Sequence, residues 1–179
     1  MATTEAQLAE RDTAGGAVLR RLRRDAPFFL VALTVLGFDQ LTKAIVRNGL
    51  ELGEAWPSDS WLVKIEHVTN TGAAFGTLQG QGLFLTVTAF LAIGAIAFYY
   101  LFPPLEHGLL RLALGLQLGG AVGNLLDRLR FGEVTDFISF PHYPAFNVAD
   151  SSIVVGLAVV VIFFVFSETK ASEKQADVD

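Results

Sequence analysis

Leu83-Phe-Leu-Thr-Val-Thr-Ala-Phe-Leu-Ala-Ile-Gly-Ala-Ile-Ala-Phe-Tyr-Tyr-Leu-Phe102 carries no charged side chain and ends at Pro103-Pro104. A helix of about 20 apolar residues rises about 30 Å, the thickness of a bilayer's hydrocarbon core. The stretch therefore reads as a membrane span, stopped by prolines that cannot continue it. Three more segments approach that length: 27–46, the glycine- and alanine-rich 109–126, and 152–166. With 179 residues and 52% of them hydrophobic, the chain is too apolar for an ordinary soluble domain of its size. The fold class expected is an all-α membrane protein with four transmembrane helices.

The basic residues orient the spans. Arg20, Arg21, Arg23 and Arg24 precede the first span and place the N-terminus in the cytoplasm. Four spans return the C-terminus to the same side, and Arg111, Lys170 and Lys174 agree. Arg47, Lys64, Arg128 and Arg130 fall in the two outer loops, 47–82 and 127–151, and count against this orientation. The first span carries Asp39 and Lys43 with no clean small-x-small site after it, so it does not read as a cleaved leader. Residues 1–26 and 167–179 read as polar tails, poorly ordered at their outer parts, around a membrane domain at 27–166.

The first outer loop has structure of its own. Trp61-Leu-Val63-Lys-Ile65-Glu-His67-Val alternates and favours a strand. Asn70-Thr-Gly72-Ala-Ala-Phe75-Gly76 is turn-forming, and Gln79-Gly-Gln-Gly82 is a flexible lead into the second span. A small sheet on the outer membrane face is expected.

Several chemistries are excluded. There is no cysteine, hence no disulfide, thiolate metal site or cysteine nucleophile. His67, His107 and His142 are scattered without metal-ligand spacing, so no metal or other cofactor is expected. Net charge is −5, with much of the acid after Glu168, and no basic surface points to nucleic acid.

What remains is carboxylates and amides beside hydrocarbon-spanning helices, where polar groups are expensive and usually functional. Asp39 and Lys43 are four apart on one helix face, either a structural ion pair or a direct contact to substrate. Asn70 and Gly72 sit in a turn that is either plain or a close approach to a substrate backbone. Gly119-Gly120-Ala121-Val-Gly123 lets helices pack tightly; Asn124 and Asp127 share a face, and Asp127 with Arg128 reads as a brace. Asp136 lies among Val134, Phe137 and Ile138, an apolar setting that favours the protonated acid. Asp150 follows Phe146-Asn147-Val-Ala149 at the start of the last span, where it is either a simple N-cap or an ionised carboxylate favoured by the helix dipole. Two carboxylates with opposed environments are the arrangement that divides acid from base and activates water without a metal. The rival readings are a proton relay or transporter, a structural bundle, and a serine–lysine protease.

In order, Asp39-Gln-Leu-Thr-Lys43, Asn70-Thr-Gly-Ala-Ala-Phe75, Gly123-Asn124-Leu-Leu-Asp127-Arg128, Val134-Thr-Asp136-Phe-Ile138 and Phe146-Asn147-Val-Ala-Asp150 resemble the lipoprotein signal peptidase (signal peptidase II) family. The resemblance covers 27–166 and implies an aspartic endopeptidase of the bacterial cytoplasmic membrane. Its outer β-cradle and four helices hold a site near the outer face. It implies Asp136 and Asp150 as the catalytic dyad, without saying which is the base. Asp39, Lys43, Asn70, Gly72, Asn124, Asp127, Arg128, Asn147 and Ala149 are implied as substrate-binding or supporting. The implied substrate is a diacylglyceryl-modified prolipoprotein cut just before the lipidated cysteine, by a monomer among membrane lipids. Three features depart from the family pattern: Ser139 stands where a second aspartate often does, the interval from Asp136 to Asp150 is short, and the long polar N-terminal extension has no counterpart there.

Overall fold

The computed structural model describes residues 2–58, 62–72, 82–103, 105 and 107–176, with side chains described from 24 to 167. Trp61, residues 73–76 and 79–81 lie outside the described residues, so the second half of the Asn70 turn and the lead into the second span are not treated further. The elements run α1 Ala2–Gly49, β1 Ala55–Trp56, β2 Lys64–Asn70, α2 Gly82–Leu101, α3 Gly108–Phe131, β3 Val134–Phe140, β4 Tyr143–Phe146 and α4 Val148–Ala176. All four helices contain a stretch long and apolar enough to cross a membrane: Arg24–Gly49, Gly82–Leu101, Gly108–Phe131 and Val148–Ser167.

The backbone of α1 and α4 continues as helix into both polar tails, over residues 2–26 and 167–176. Their sequences are rich in Ala, Glu, Lys, Arg and Leu, good helix formers, and the apolar parts of the same helices nucleate them. Pro27 lies inside α1, within a helix that already began, instead of opening it.

α3 is the central element, packing against α1, α2 and α4. Half of its spanning window is buried, against 6% for α2 and 17% for α4, whose apolar side chains face outward. Exposed Leu83, Phe90, Leu91, Val154, Ile162 and Phe166 would aggregate in water and suit a lipid surface. In lipid no hydrophobic drive pulls helices together, so close approach through small residues has to do it. Along α3, a Cβ on Gly115 would stand 2.7 Å from the Phe28 carbonyl oxygen and one on Gly119 2.6 Å from that of Ala32. Both positions therefore seat α1 backbone to backbone. Gly120 lies equally close to Ala149 and Ser152 of α4.

At the arginine-rich end, Arg111 of α3 binds the buried Asp25 of α1 at 2.5 Å, and Phe28 stacks on Tyr100 of α2 at 4.3 Å. Three helices are pinned there by one ion pair and one ring stack.

At the other end sits a four-stranded antiparallel sheet in the order β1-β2-β3-β4. The strand expected at 61–68 begins later and runs to Asn70. That end point matters: Asn70 pairs with Val134 and Val68 with Asp136, so β2 carries Asn70 to the neighbourhood of Asp136. α3 terminates at Gly132, whose φ of 80° allows the chain to turn directly into β3.

Candidate active site

Five elements, α1, β2, α3, β3 and α4, deliver the polar residues to one end of the bundle. Residues on one strand face alternate, so Asn70 and Asp136, diagonal neighbours across the β2–β3 pair, point the same way. Asn70 donates from Nδ2 to Asp136 Oδ2 at 2.9 Å, while its Oδ1 accepts the Gly72 amide at 2.9 Å. The side chain thus shapes its turn and reaches the carboxylate at once.

α4 begins at Val148, earlier than the expected 152, and this changes the status of Asp150. The N-cap is Asn147: its Oδ1 accepts the Asp150 amide at 2.9 Å, and Asp150 Oδ2 accepts the Asn147 amide at 3.4 Å. That reciprocal pair is a capping box. Asp150 is therefore the third residue of the helix and not its N-cap. Its other oxygen, Oδ1, accepts from Asn124 Nδ2 at 2.7 Å.

Asn147 also joins the two aspartates. Its Nδ2 donates to Asp136 Oδ1 at 2.7 Å, with longer contacts to Asn124 Oδ1 at 3.2 Å and the Thr135 carbonyl at 3.4 Å. Asp136 and Asp150 line the same cavity of about 260 Å³, together with Asn70, Gly72, Asn124, Arg128, Tyr143 and Phe146. Asp136 is 2% exposed. Burial first, and then the Asp150 charge, push its carboxyl up to about 6 from the ordinary 3.8. The donors Asn70 and Asn147 and the Lys43 ammonium oppose that rise without cancelling it.

Behind this wall lies a second, dry charge cluster. Lys43 and Asp39 are both 0% exposed and sit 2.9 Å apart, with Asp127 Oδ2 at 3.3 Å from the same ammonium. Both side chains are sealed from the cavity, the setting of a structural ion pair. Lys43 donates to Asn124 Oδ1 at 2.9 Å. That bond fixes which way the Asn124 amide points and leaves its NH₂ for Asp150. Asp39 Oδ1 accepts the Ala149 amide at 2.9 Å, tying α1 to the first turn of α4. A Cβ on Gly123 would meet Asp39 Oδ2 at 2.6 Å, so glycine is what lets this carboxylate in.

Asp127 braces, as expected, but with partners other than Arg128. It accepts from Gln40 at 3.1 Å and from the Thr135 amide at 3.1 Å, with Arg47 at 3.7 Å. Arg128 instead lines the cavity, and of the carboxylates around it Asp150 acts on it most strongly.

Three contributors were missed in the sequence: Gln40, Arg47 and Thr135. Gln40 bridges Asp39, Asp127 and the Gly123 carbonyl. Arg47 was legible in principle, since Asp39, Lys43 and Arg47 recur every four residues on one helix face. It had been counted as an outer-loop charge opposing the topology; it lies in the last turn of α1, bound to Thr135.

Along α1, the described residues place no buried titratable group between the two charged ends of the bundle. From Asp25 to Asp39 along α1 is about 21 Å at about 1.5 Å per residue. The buried residues between them on α1, Phe28 and Ala32, are apolar. A proton relay across the bundle would need titratable groups there. Ser139 pairs with Lys64 in the β2–β3 ladder, the Ser151 and Ser152 hydroxyls donate to the Asn147 and Ala149 carbonyls, and the Lys43 ammonium is taken up by Asp39, Asp127 and Asn124.

Residues 31–166 match the family model described as Signal peptidase (SPase) II. A lipoprotein signal peptidase of Moorella thermoacetica is 45% identical over 135 residues, 75% of this chain and 89% of the relative. Another, of Bacillus velezensis, is 40% identical over 151 residues, 82% of this chain and 99% of the relative. Among solved structures, a bacterial membrane enzyme determined by the in meso method superposes with a TM-score of 0.76 at 29% identity, over 80% of this chain and 90% of the other. With a matching family model, relatives spanned almost end to end and four membrane-length helices beneath a small sheet, this chain belongs to the signal peptidase II family of bacterial membrane proteases.

Proposed function

We propose that this protein is an aspartic endopeptidase that removes the signal peptide from diacylglyceryl-modified prolipoproteins, cutting just before the lipidated cysteine, with Asp136 and Asp150 as the dyad. Signal-peptide removal from prolipoproteins follows from the family. The observation that carries the dyad is the single Asn147 side chain that bonds Asp136 and pairs reciprocally with Asp150, behind a cavity that both aspartates line.

Asp136, pushed up to about 6, is the natural holder of the proton the pair shares. Asp150, held by the Asn124 amide at the N-terminus of α4, is the natural base. Asp150 takes a proton from a water molecule lying between the carboxyls. The hydroxide oxygen bonds the scissile carbonyl carbon while Asp136 gives its proton to the carbonyl oxygen. The tetrahedral intermediate collapses as the C–N bond breaks. The proton on Asp150 passes to the leaving nitrogen, which becomes the free amine of the lipidated cysteine, and the carbonyl proton returns to Asp136.

A second cavity of about 560 Å³, lined by Phe140, Tyr143, Phe146, Val154 and Val155, shares Asp150 with the first. It supports lateral binding of an acyl chain from the bilayer, where burial contributes about 0.8 kcal/mol per CH₂. Asp39, Lys43, Asn70, Asn124, Asp127, Asn147 and Ala149 support the dyad, and Gly72 and Arg128 face the substrate. The dyad lies at the end of α1 opposite Arg24, which supports cytoplasmic termini and a site near the outer face. Because the chain has no cysteine, single cysteines placed at Leu52 and in the tail at Lys174 test this orientation: only the former should react with an impermeant reagent applied from outside.

The decisive experiment is a gel-shift cleavage assay in detergent. One prolipoprotein, with and without its diacylglyceryl group, is presented to wild type and to Asp136→Asn. Cleavage of the lipidated form alone, by wild type alone, is expected. Equal turnover by the folded variant would refute the dyad, and no cleavage of either form by wild type would refute the activity.

A further inference from the structure

Thr135, the residue before Asp136, is held at three points. Its amide donates to Asp127 Oδ2 at 3.1 Å, its carbonyl accepts from Asn147 at 3.4 Å, and its hydroxyl accepts from Arg47 Nη1 at 2.9 Å. The first two contacts belong to the network around the dyad. The third comes from the last turn of α1 and has no other evident purpose. Arg47 is itself clamped: its guanidinium lies 4.7 Å over the Phe131 ring and 3.7 Å from Asp127 Oδ1. A planar guanidinium can stack and donate at once, which makes it a stiff strut where a lysine would be a loose one.

We infer that Arg47 is a positioning residue for the peptidase reaction, a strut from α1 and the Phe131 ring to the Thr135 hydroxyl that sets where β3 presents Asp136. This rests on the dyad proposed above. Asn70 and Asn147 fix the carboxyl oxygens of Asp136, and Asp127 and Asn147 hold the Thr135 backbone, whereas Arg47 pins the side chain of the residue that precedes Asp136. The β3 strand enters directly from the αL turn at Gly132, and its first residues are paired on the β2 side, Val134 with Asn70, Thr135 with Thr69 and Asp136 with Val68, while the β4 pairing begins at Ile138. The Arg47 side chain is 22% exposed.

The test compares Arg47→Met, Arg47→Lys, Thr135→Val and the double variant Arg47→Met/Thr135→Val in the detergent assay with lipidated substrate. A displacement of about 1 Å at a reacting group costs up to about 100-fold in rate. Arg47→Met is therefore expected to lower kcat by about 10- to 100-fold with KM within about twofold, since the acyl chains still bind. Thr135→Val should reproduce the loss, and the double variant should be no worse than Arg47→Met alone, because both remove one contact. Arg47→Lys should recover part of kcat. A wild-type kcat in Arg47→Met or Thr135→Val, or losses that multiply in the double variant, overturns the inference. If Arg47→Met does not fold, Thr135→Val and Arg47→Lys decide on the same criteria. Hydrogen exchange at the amides of 134–137 reads the geometry without turnover: faster exchange in Arg47→Met supports the strut, and unchanged exchange overturns it. That readout stands even if wild type fails to cleave, which would count against the dyad and not against the strut.

Discussion

Asn147 donates to Asp136 at 2.7 Å while capping the helix that carries Asp150. One amide therefore sets the distance between two carboxyls that belong to different elements, a strand and a helix. Asn147→Ala removes the bridge and the cap together. The cap alone contributes about 1 kcal/mol. The variant is expected to unfold a few degrees lower and to lose at least about 100-fold in kcat, by analogy with misplaced catalytic groups. Single-turnover kinetics beside a thermal scan separate the two effects; a full kcat in the folded variant would remove Asn147 from the site.

Asp136 titrates in a way that opposes stability and serves catalysis. Its folded pKa of about 6 exceeds the ordinary 3.8, so the folded state binds the proton more tightly than the unfolded chain. This contribution is fully present below about 3.8 and is lost as pH rises through about 6. Asp136→Asn is thus expected to be inactive yet to have a Tm above wild type at pH 8, a gain that fades toward pH 4. In wild type, kcat/KM should fall above an apparent pKa near 6 as Asp136 loses its proton. A pH-independent Tm difference, or a rate that keeps rising from pH 6 to 9, would contradict the assignment of the proton to Asp136.

Lys43 is a lone buried ammonium between Asp39 and Asp127. Removing one member of a buried ion pair leaves an uncompensated charge and costs about 3–5 kcal/mol. Lys43→Met should give little folded protein, and adding Asp39→Asn should restore a large part of it. Recovery is read from the yield of monodisperse protein and from Tm; no recovery would mean that Lys43 contributes through something other than its charge.

Gly119 and Gly94 offer a matched pair. A methyl at Gly119 meets the Ala32 carbonyl at 2.6 Å, a backbone atom that cannot swing away, whereas at Gly94 nothing lies within 4 Å. Gly119→Ala is expected to destabilise by about 1–3 kcal/mol through overpacking. Gly94→Ala should be neutral or stabilising by about 0.5–1 kcal/mol, the helix preference of alanine over glycine. Thermal scans of both variants in one detergent settle the comparison.

Much of this architecture was written locally. Runs of apolar residues set the helices, because a bilayer accepts only segments whose backbone is satisfied within themselves. The four-residue spacing of Asp39 and Lys43 announced a common face, and their motifs, with those of Asp136 and Asp150, announced a family. The ends of elements were less legible. Asn147 and Asp150 look alike as candidate caps in a one-dimensional reading, and only the start of α4 at Val148 separates cap from third residue. Arg47 was misjudged because helix α1 runs three residues past the predicted end of its span, and a charge near a helix end has no assigned partner until another segment arrives.

The sequence by itself determined the membrane bundle, the strand-and-turn character of the outer segments and the carboxylates available for chemistry, since these depend on composition and on spacing within a few residues. Tertiary structure alone decided that Asn70 reaches Asp136, that Lys43 orients Asn124 toward Asp150, and that Asp39 enters beside Gly123 to hold α4. Each of those contacts joins residues more than 60 positions apart or on separate helices. Their geometry is set by how closely the helices approach, and no local pattern encodes that distance until the glycines of α3 are placed against the backbones they meet.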